Sequence, residues 1–265
     1  MNSPTSSSSV VFVDSRMEID TSQVAPGTQV VRIDPTEDGV ARISEVLAEH
    51  QNLDSVQIIG HGNEGSLFLG NVELNHQTLA QYETQVRGWG EAISEKGDLL
   101  LFGCDVAIGD AGKTFVQQIA ELTAADVAAS TDLTGNAALG GDWELEYQVG
   151  EVTAQSALYL EVLQTFDGIL VEVANATDLQ TQINLGTNEI ELGADIDLGE
   201  ALSINAGNIT IDGQGFTING NNGSRIFEIG NGTLNLVDAT LTGGFVRVHS
   251  FPTRRSSDLN RKSVV

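Results

Sequence analysis

Apolar positions in the first two-thirds of the chain follow two alternating periods. Residues 10–13, 29–33, 56–59, 99–102 and 126–130 are short runs rich in β-branched residues, leucine and alanine. Their length and content are those of buried parallel strands. Between them, apolar residues recur at helical spacing over residues 38–50 (Val40, Ile43, Val46, Leu47), 77–93 (Leu79, Tyr82, Val86, Trp89, Ile93) and 111–122. Residues 66–74 read as a hairpin around Gly70 and Asn71. Residues 143–147 alternate like a half-buried strand near a sheet edge. Strands separated by helices predict an α/β domain over residues 10–166, with a mainly parallel sheet covered on both faces. Residues 1–9 carry no pattern and are expected to be disordered.

The pattern changes after Gly168. Helical periodicity survives only over residues 176–185. From Glu189 the chain becomes short alternating runs split by Gly, Asn and Asp, such as residues 202–204, 209–211, 216–218, 226–229 and 234–236. Many short strands without intervening helices predict an all-β right-handed parallel β-helix over residues 167–244, its first helix capping the open end. A β-sandwich is the competing architecture. Two to three coils fit before residue 244, so this domain is expected to be truncated.

Composition bears most on the tail and the charge. Residues 249–259 resemble the in-frame translation of a sequencing adapter, and residues 245–265 are set aside from the fold on that ground. The chain is then expected to be a piece of something longer. The stretch holds five of the chain's 12 basic residues and one of its 37 acidic ones, so residues 1–244 carry a formal charge of −29. Such a charge argues against nucleic acid and anionic membrane surfaces as partners. It suits an extracellular, calcium-containing setting, with a plain solvated acidic surface as the other reading. Asp195, Asp197 and Asp212 are calcium-edge candidates or solvated turn residues. No stretch approaches the roughly 18–20 apolar residues of a membrane span. The start lacks a signal peptide's basic and apolar regions, so export would use another route, with the cytoplasm as the alternative location.

Two of the buried runs end in chemistry. The run 56–59 is followed by Gly60, His61 and Gly62; the run 99–102 is followed by Gly103 and Cys104, the only cysteine. In open α/β sheets, ligands and catalytic groups gather beyond the carboxyl ends of the strands. If the two strands are neighbours, His61 and Cys104 emerge side by side. A nearby imidazole can activate a thiol as a nucleophile. Gly62 would let a substrate approach the backbone, Gly103 would permit a tight strand exit, and an N–H near Cys104 could stabilise an oxyanion. The competing reading makes Cys104 a small core residue and His61 a hydrogen-bonded turn residue. Asp14, ending the first strand, either orients His61 or is an exposed cap. Asp132 is either a pocket wall selecting basic side chains or a loop turn. His50, His76 and His249 have no partner pattern. No zinc spacing, P-loop or dinucleotide-binding glycine motif occurs.

His61-Gly62 and Gly103-Cys104, each after a strand, resemble the two signature blocks of the caspase-like clan of cysteine peptidases. Residues 126–135 and 141–143 are similar to the self-processing domains of large bacterial toxins, where the corresponding segments help form the substrate pocket. Residues 10–166 as a whole resemble the bacterial family described as domain of unknown function 4347. That resemblance rests on Val11-Phe12-Val13-Asp14-Ser15, on residues 61–67, on Gly103-Cys104-Asp105-Val106-Ala107 and on residues 128–135. The resemblance implies a module near the N-terminus of a very large, acidic, repeat-rich secreted or cell-surface protein with adhesin-like parts. It also implies a caspase-like cysteine peptidase with Cys104 as nucleophile and His61 as general base. The substrate would be its own polypeptide or another protein, and a catalytically inactive binding or structural module is the alternative. The toxin domains are switched on by inositol hexakisphosphate in a basic pocket. Residues 1–166 hold only six Lys and Arg, so that cofactor is not expected and none other is implied. The ligand of the β-helix is not legible.

Overall fold

The computed structural model describes residues 8–17, 19–187, 189–221, 225–244 and 246–248. The chain divides between Glu172 and Val173 into two compact units.

In the first unit the elements run in the order β1 (Ser9–Asp14), β2 (Thr28–Ile33), α1 (Gly39–Leu47), β3 (Leu53–Ile59), β4 (His61–Asn63), β5 (Ser66–Leu69), β6 (Val72–Asn75), α2 (Glu83–Ala92), β7 (Ile93–Phe102), α3 (Gly109–Thr123), β8 (Asp126–Ala129), β9 (Tyr147–Val149) and α4 (Leu160–Leu163). Six of the strands form one sheet, ordered β2-β1-β3-β7-β8-β9. All its pairings are parallel except that of β9 with β8. Mixed α/β architecture with a mostly parallel sheet therefore holds. Ser9, placed in the N-terminal tail by the sequence, opens β1.

Alternation along the strands sorts side chains between two cores. Val10, Phe12, Val56, Ile58, Leu99 and Leu101 face the side covered by α1, α2 and α3. Val11, Val13, Ile59, Leu100, Phe102 and Cys104 face the other side, covered by Met17, Ile19 and chain from residues 157–170. Both faces are thus buried, which is why these strands read as unbroken apolar runs. Gln57 is a buried polar residue on one of these strands: its side chain donates to Gln155 O at 2.9 Å and accepts from Ala157 N at 2.9 Å, tying the covering segment to β3.

Three details differ from the sequence reading. The single helix expected over residues 77–93 is a 3-10 turn at Leu79–Gln81 followed by α2, and Ile93 already opens β7 with extended backbone. The strand expected at 143–147 starts only at Tyr147. His61 lies in a short strand, paired antiparallel with Phe68 in the three-stranded sheet β4-β5-β6, rather than in a turn.

In the second unit α5 (Ala176–Leu185) precedes β10 (Glu189–Glu191), β11 (Ile196–Asp197), β12 (Leu202–Ile204), β13 (Asn208–Asp212), β14 (Thr217–Asn219), β15 (Phe227–Ile229), β16 (Thr233–Val237), β17 (Thr240–Thr242) and β18 (Val246–Val248). They form three parallel sheets, β10-β13-β16, β11-β14-β17 and β12-β15-β18, each taking every third strand. Like positions stack: Ile190 on Ile211 on Leu236, and Ile196 on Ile218 on Leu241. β18 falls within the stretch set aside as foreign, so residues 246–248 take part in the fold. His249 and the rest of the adapter-like sequence lie outside the described residues.

Candidate functional site

The two chemistry-bearing strand ends are neighbours. β3 and β7 pair in parallel up to Ile59 beside Phe102, and Gly60 N donates to Phe102 O at 3.0 Å. The next step of each chain delivers His61 and Cys104. Gly62 is required by close approach: a Cβ there would sit 2.6 Å from Cys104 O and 2.9 Å from Cys104 N. Gly103 is similarly confined, since its Cβ would lie 3.0 Å from Gly60 O.

Cys104 is fully buried. Thr134 N donates to its Sγ at 3.2 Å, and the thiol lies 3.6 Å from Thr134 O. Burial pushes the thiol well above its ordinary value, and Asp105 and Asp132 add to this; backbone hydrogen bonds from Thr134 and Leu170 oppose it without prevailing. His61 moves the other way. Burial, then the Arg16 guanidinium, lowers the imidazole to about 4, against Asp14 and the backbone of Leu170. Its Nδ1 is buried with no hydrogen-bond partner. Both groups are therefore neutral at pH 7, and the thiol's hydrogen bonds go to Thr134 rather than to the imidazole.

An extended segment of the chain, residues 166–172, lies across these strand ends. Leu170 O accepts from Gly62 N at 2.8 Å and from Cys104 N at 3.2 Å. On one side of it, Leu170 N donates to Thr134 O at 2.8 Å and Asn136 N donates to Gly168 O at 2.8 Å. On the other, Glu172 N donates to Gly62 O at 3.3 Å and Asn63 Nδ2 donates to Glu172 O at 3.2 Å. Phe166 packs edge-on against Trp143, with ring centroids 5.9 Å apart, and Trp143 packs on Phe102. The Leu170 side chain is fully buried in the same core as Cys104 and Phe102.

Asp14 is buried, not an exposed cap. It accepts from Arg16 Nε and Nη2 at 3.0 and 2.9 Å and from Gly70 N at 2.7 Å, so its hydrogen bonds go to Arg16 and Gly70 rather than to His61. Arg16 also reaches the buried Glu172 carboxylate at 3.4 Å. Asp132 is exposed. Its backbone oxygen accepts from Asp105 N at 2.8 Å, and this bond stitches the loop after β8 to the loop carrying Cys104. Its carboxyl is raised by partial burial and then by Glu146 and Asp142. Among the described residues, Asp132, Asp142 and Glu146 are the acidic trio whose ligand atoms lie within 4.8 Å of one another. Asp195, Asp197 and Asp212 form no such group and accept instead from Thr217 N, Asn219 Nδ2 and Gln214 N. Leu170, Thr134, Arg16, Asn63 and Glu172 were not singled out from sequence; most act through backbone atoms, which leave no mark on residue type.

The model for the domain of unknown function DUF4347 matches residues 10–170. The chain belongs to that family. Comparison with curated proteins and with solved structures returned no significant match. The family match ends at Leu170, the residue whose carbonyl the two strand ends hold. Among the described residues, no helix is long and apolar enough to cross a membrane.

Proposed function

We propose that the first unit is a caspase-like cysteine-peptidase module that processes its own polypeptide or another protein, with Cys104 as nucleophile and His61 as general base. The second unit is then a right-handed parallel β-helix. The protein is a large secreted or cell-surface adhesin-like one. The observation that carries the reading is the convergence of Gly62 N–H and Cys104 N–H on one carbonyl oxygen. Two fixed backbone donors aimed at a carbonyl, at the ends of the strands that deliver an imidazole and a thiol, form the arrangement that stabilises a developing oxyanion. The neutral imidazole, with Nδ1 unpartnered, is in the protonation state a general base requires. Three stacked parallel sheets built from every third strand support the β-helix reading.

A catalytically inactive module that keeps the fold is the second reading. It is favoured by the thiol's burial and its bonds to Thr134. The test is peptide-bond cleavage by the purified full chain, followed on itself and on a peptide library by mass spectrometry. Turnover in the wild type that is lost in both Cys104→Ala and His61→Ala supports the peptidase. Equal background in all three chains leaves the binding or structural module standing.

A further inference from the structure

The segment crossing the site is held as a substrate is held. Its amide and carbonyl groups are paired on both sides of one peptide bond, with the backbone of Asn136 and Thr134 upstream and with the Gly62 backbone and the Asn63 side-chain amide downstream. The carbonyl at the middle, Leu170 O, takes both strand-end N–H groups. The side chain before that bond is buried apolar surface, and the residue after the next is anchored by Arg16. His61, the residue before Gly62, has its Nδ1 buried and unpartnered, free to accept a proton.

We infer that the Leu170–Val171 peptide bond is the bond this site cuts, in its own chain; the inference rests on the peptidase reading above. A buried leucine side chain precedes the bond, so the specificity is for an apolar residue. The basic residue suggested by Asp132 does not fit, because Asp132 is exposed and its backbone serves the loop.

The step balances without any cofactor. The Cys104 thiol gives its proton to His61 Nδ1 as sulfur bonds to the Leu170 carbonyl carbon. The carbonyl π pair moves onto oxygen, where the N–H groups of Gly62 and Cys104 hold the negative charge. The oxyanion collapses, the bond to Val171 N breaks, and that nitrogen takes the proton from the imidazolium. A thioester now joins Cys104 to Leu170. Solvent water, deprotonated by His61, attacks the same carbon; the C–S bond breaks and sulfur recovers a proton. One water is consumed, leaving a carboxylic acid on Leu170 and an amine on Val171; the acid's proton then passes to the amine through solvent, giving a carboxylate and an ammonium. The reaction requires Sγ to turn from Thr134 toward the carbonyl carbon, a rotation about χ1 of Cys104. The cut falls two residues before the division between the two compact units, so it would release the second unit from the first.

The experiment is incubation of the full chain from pH 5 to 9, with intact-mass analysis and N-terminal sequencing of any fragment. The expected result is a new N-terminus at Val171, absent in Cys104→Ala and Cys104→Ser, and slowed on the order of 10²–10⁴-fold in His61→Ala. Circular dichroism of each variant, expected to match the wild type, separates loss of cleavage from loss of fold. Val171→Pro, which replaces the amide that must leave as an amine, should block the cut, so that no fragment beginning at residue 171 forms. Cys104-dependent cleavage at another bond, or cleavage of library peptides with the chain left whole, overturns this inference and leaves the peptidase reading intact. A whole chain together with uncut peptides overturns both.

Discussion

Thr134 holds Cys104 through sulfur: its amide donates to Sγ at 3.2 Å while its carbonyl oxygen lies 3.6 Å away. The amide favours a thiolate, but burial outweighs it and the thiol stays protonated. Because the thiolate is the reactive form, Cys104 should alkylate on the order of 10²-fold more slowly in the folded chain than in urea at pH 8. The His61→Gln chain, which keeps the thiol and lacks the base, is the one to use. Iodoacetamide trapping with mass readout measures it. A folded thiol that reacts at the unfolded rate would contradict the burial and the Thr134 contact.

His61 makes stability depend on pH in a defined window. Its ordinary value is 6.5 and its folded value about 4, so between these the unfolded chain binds the extra proton. The contribution of His61 is then fully present above pH 6.5 and declines as pH falls toward 4, by about 3 kcal/mol at most. The carboxylates titrate too, so the measurement is a difference: urea midpoints at pH 7.5 and 4.5 for the wild type and for His61→Gln. The wild type should lose more over this interval. Equal losses in the two chains would mean that His61 titrates normally.

Much of the sheet was legible because both of its faces are buried. Residues such as Leu99, Leu100, Leu101 and Phe102 have no polar alternation to hide them, and the glycines ending the two runs fixed where His61 and Cys104 emerge. The helix-to-strand passage at Ile93 was not legible: no Gly, Pro or cap separates α2 from β7, so Ile93 continued the helical stripe of Trp89. The segment at residues 166–172 was missed for a different reason. Ile169, Leu170 and Val171 form a three-residue apolar run at a pattern change, and nearly all of the contacts that position them are backbone hydrogen bonds. The burial of Asp14 was not legible because its partner, Arg16, follows it by two residues in a turn, where no periodicity announces an ion pair.

Gly62 and Gly88 offer a contrast in what a single methyl group does. At Gly62 the added Cβ meets Cys104 O at 2.6 Å, Cys104 N at 2.9 Å and Val106 Cγ2 at 2.8 Å. Two of these are backbone atoms, which cannot turn aside, so Gly62→Ala should cost about 2–3 kcal/mol and spread the two strand ends. At Gly88, inside α2, nothing lies within 4 Å, and Gly88→Ala should stabilise by up to about 1 kcal/mol through helix propensity. Denaturant midpoints of the two variants should move in opposite directions. Shifts of the same sign would place the tight contact elsewhere.

Arg16 lies between two buried carboxylates. Asp14 has no exposed side-chain surface and Glu172 only 3%, and the guanidinium meets them at 2.9 and 3.4 Å. Its planar fork spans both, which a lysine ammonium cannot reproduce. Arg16→Met leaves two buried negative charges facing each other, a loss of about 3–5 kcal/mol at pH 7. Arg16→Lys should recover only part of it. Glu172 anchors the segment that crosses the site, so the same variant should expose residues 166–172 to added protease before the rest of the first unit unfolds. Urea midpoints at pH 7, with limited proteolysis read by mass, check both consequences. An Arg16→Lys chain as stable as the wild type would mean that the planar fork is not needed, and a segment cut no faster than in the wild type would mean that the backbone hydrogen bonds of Leu170 hold it without help.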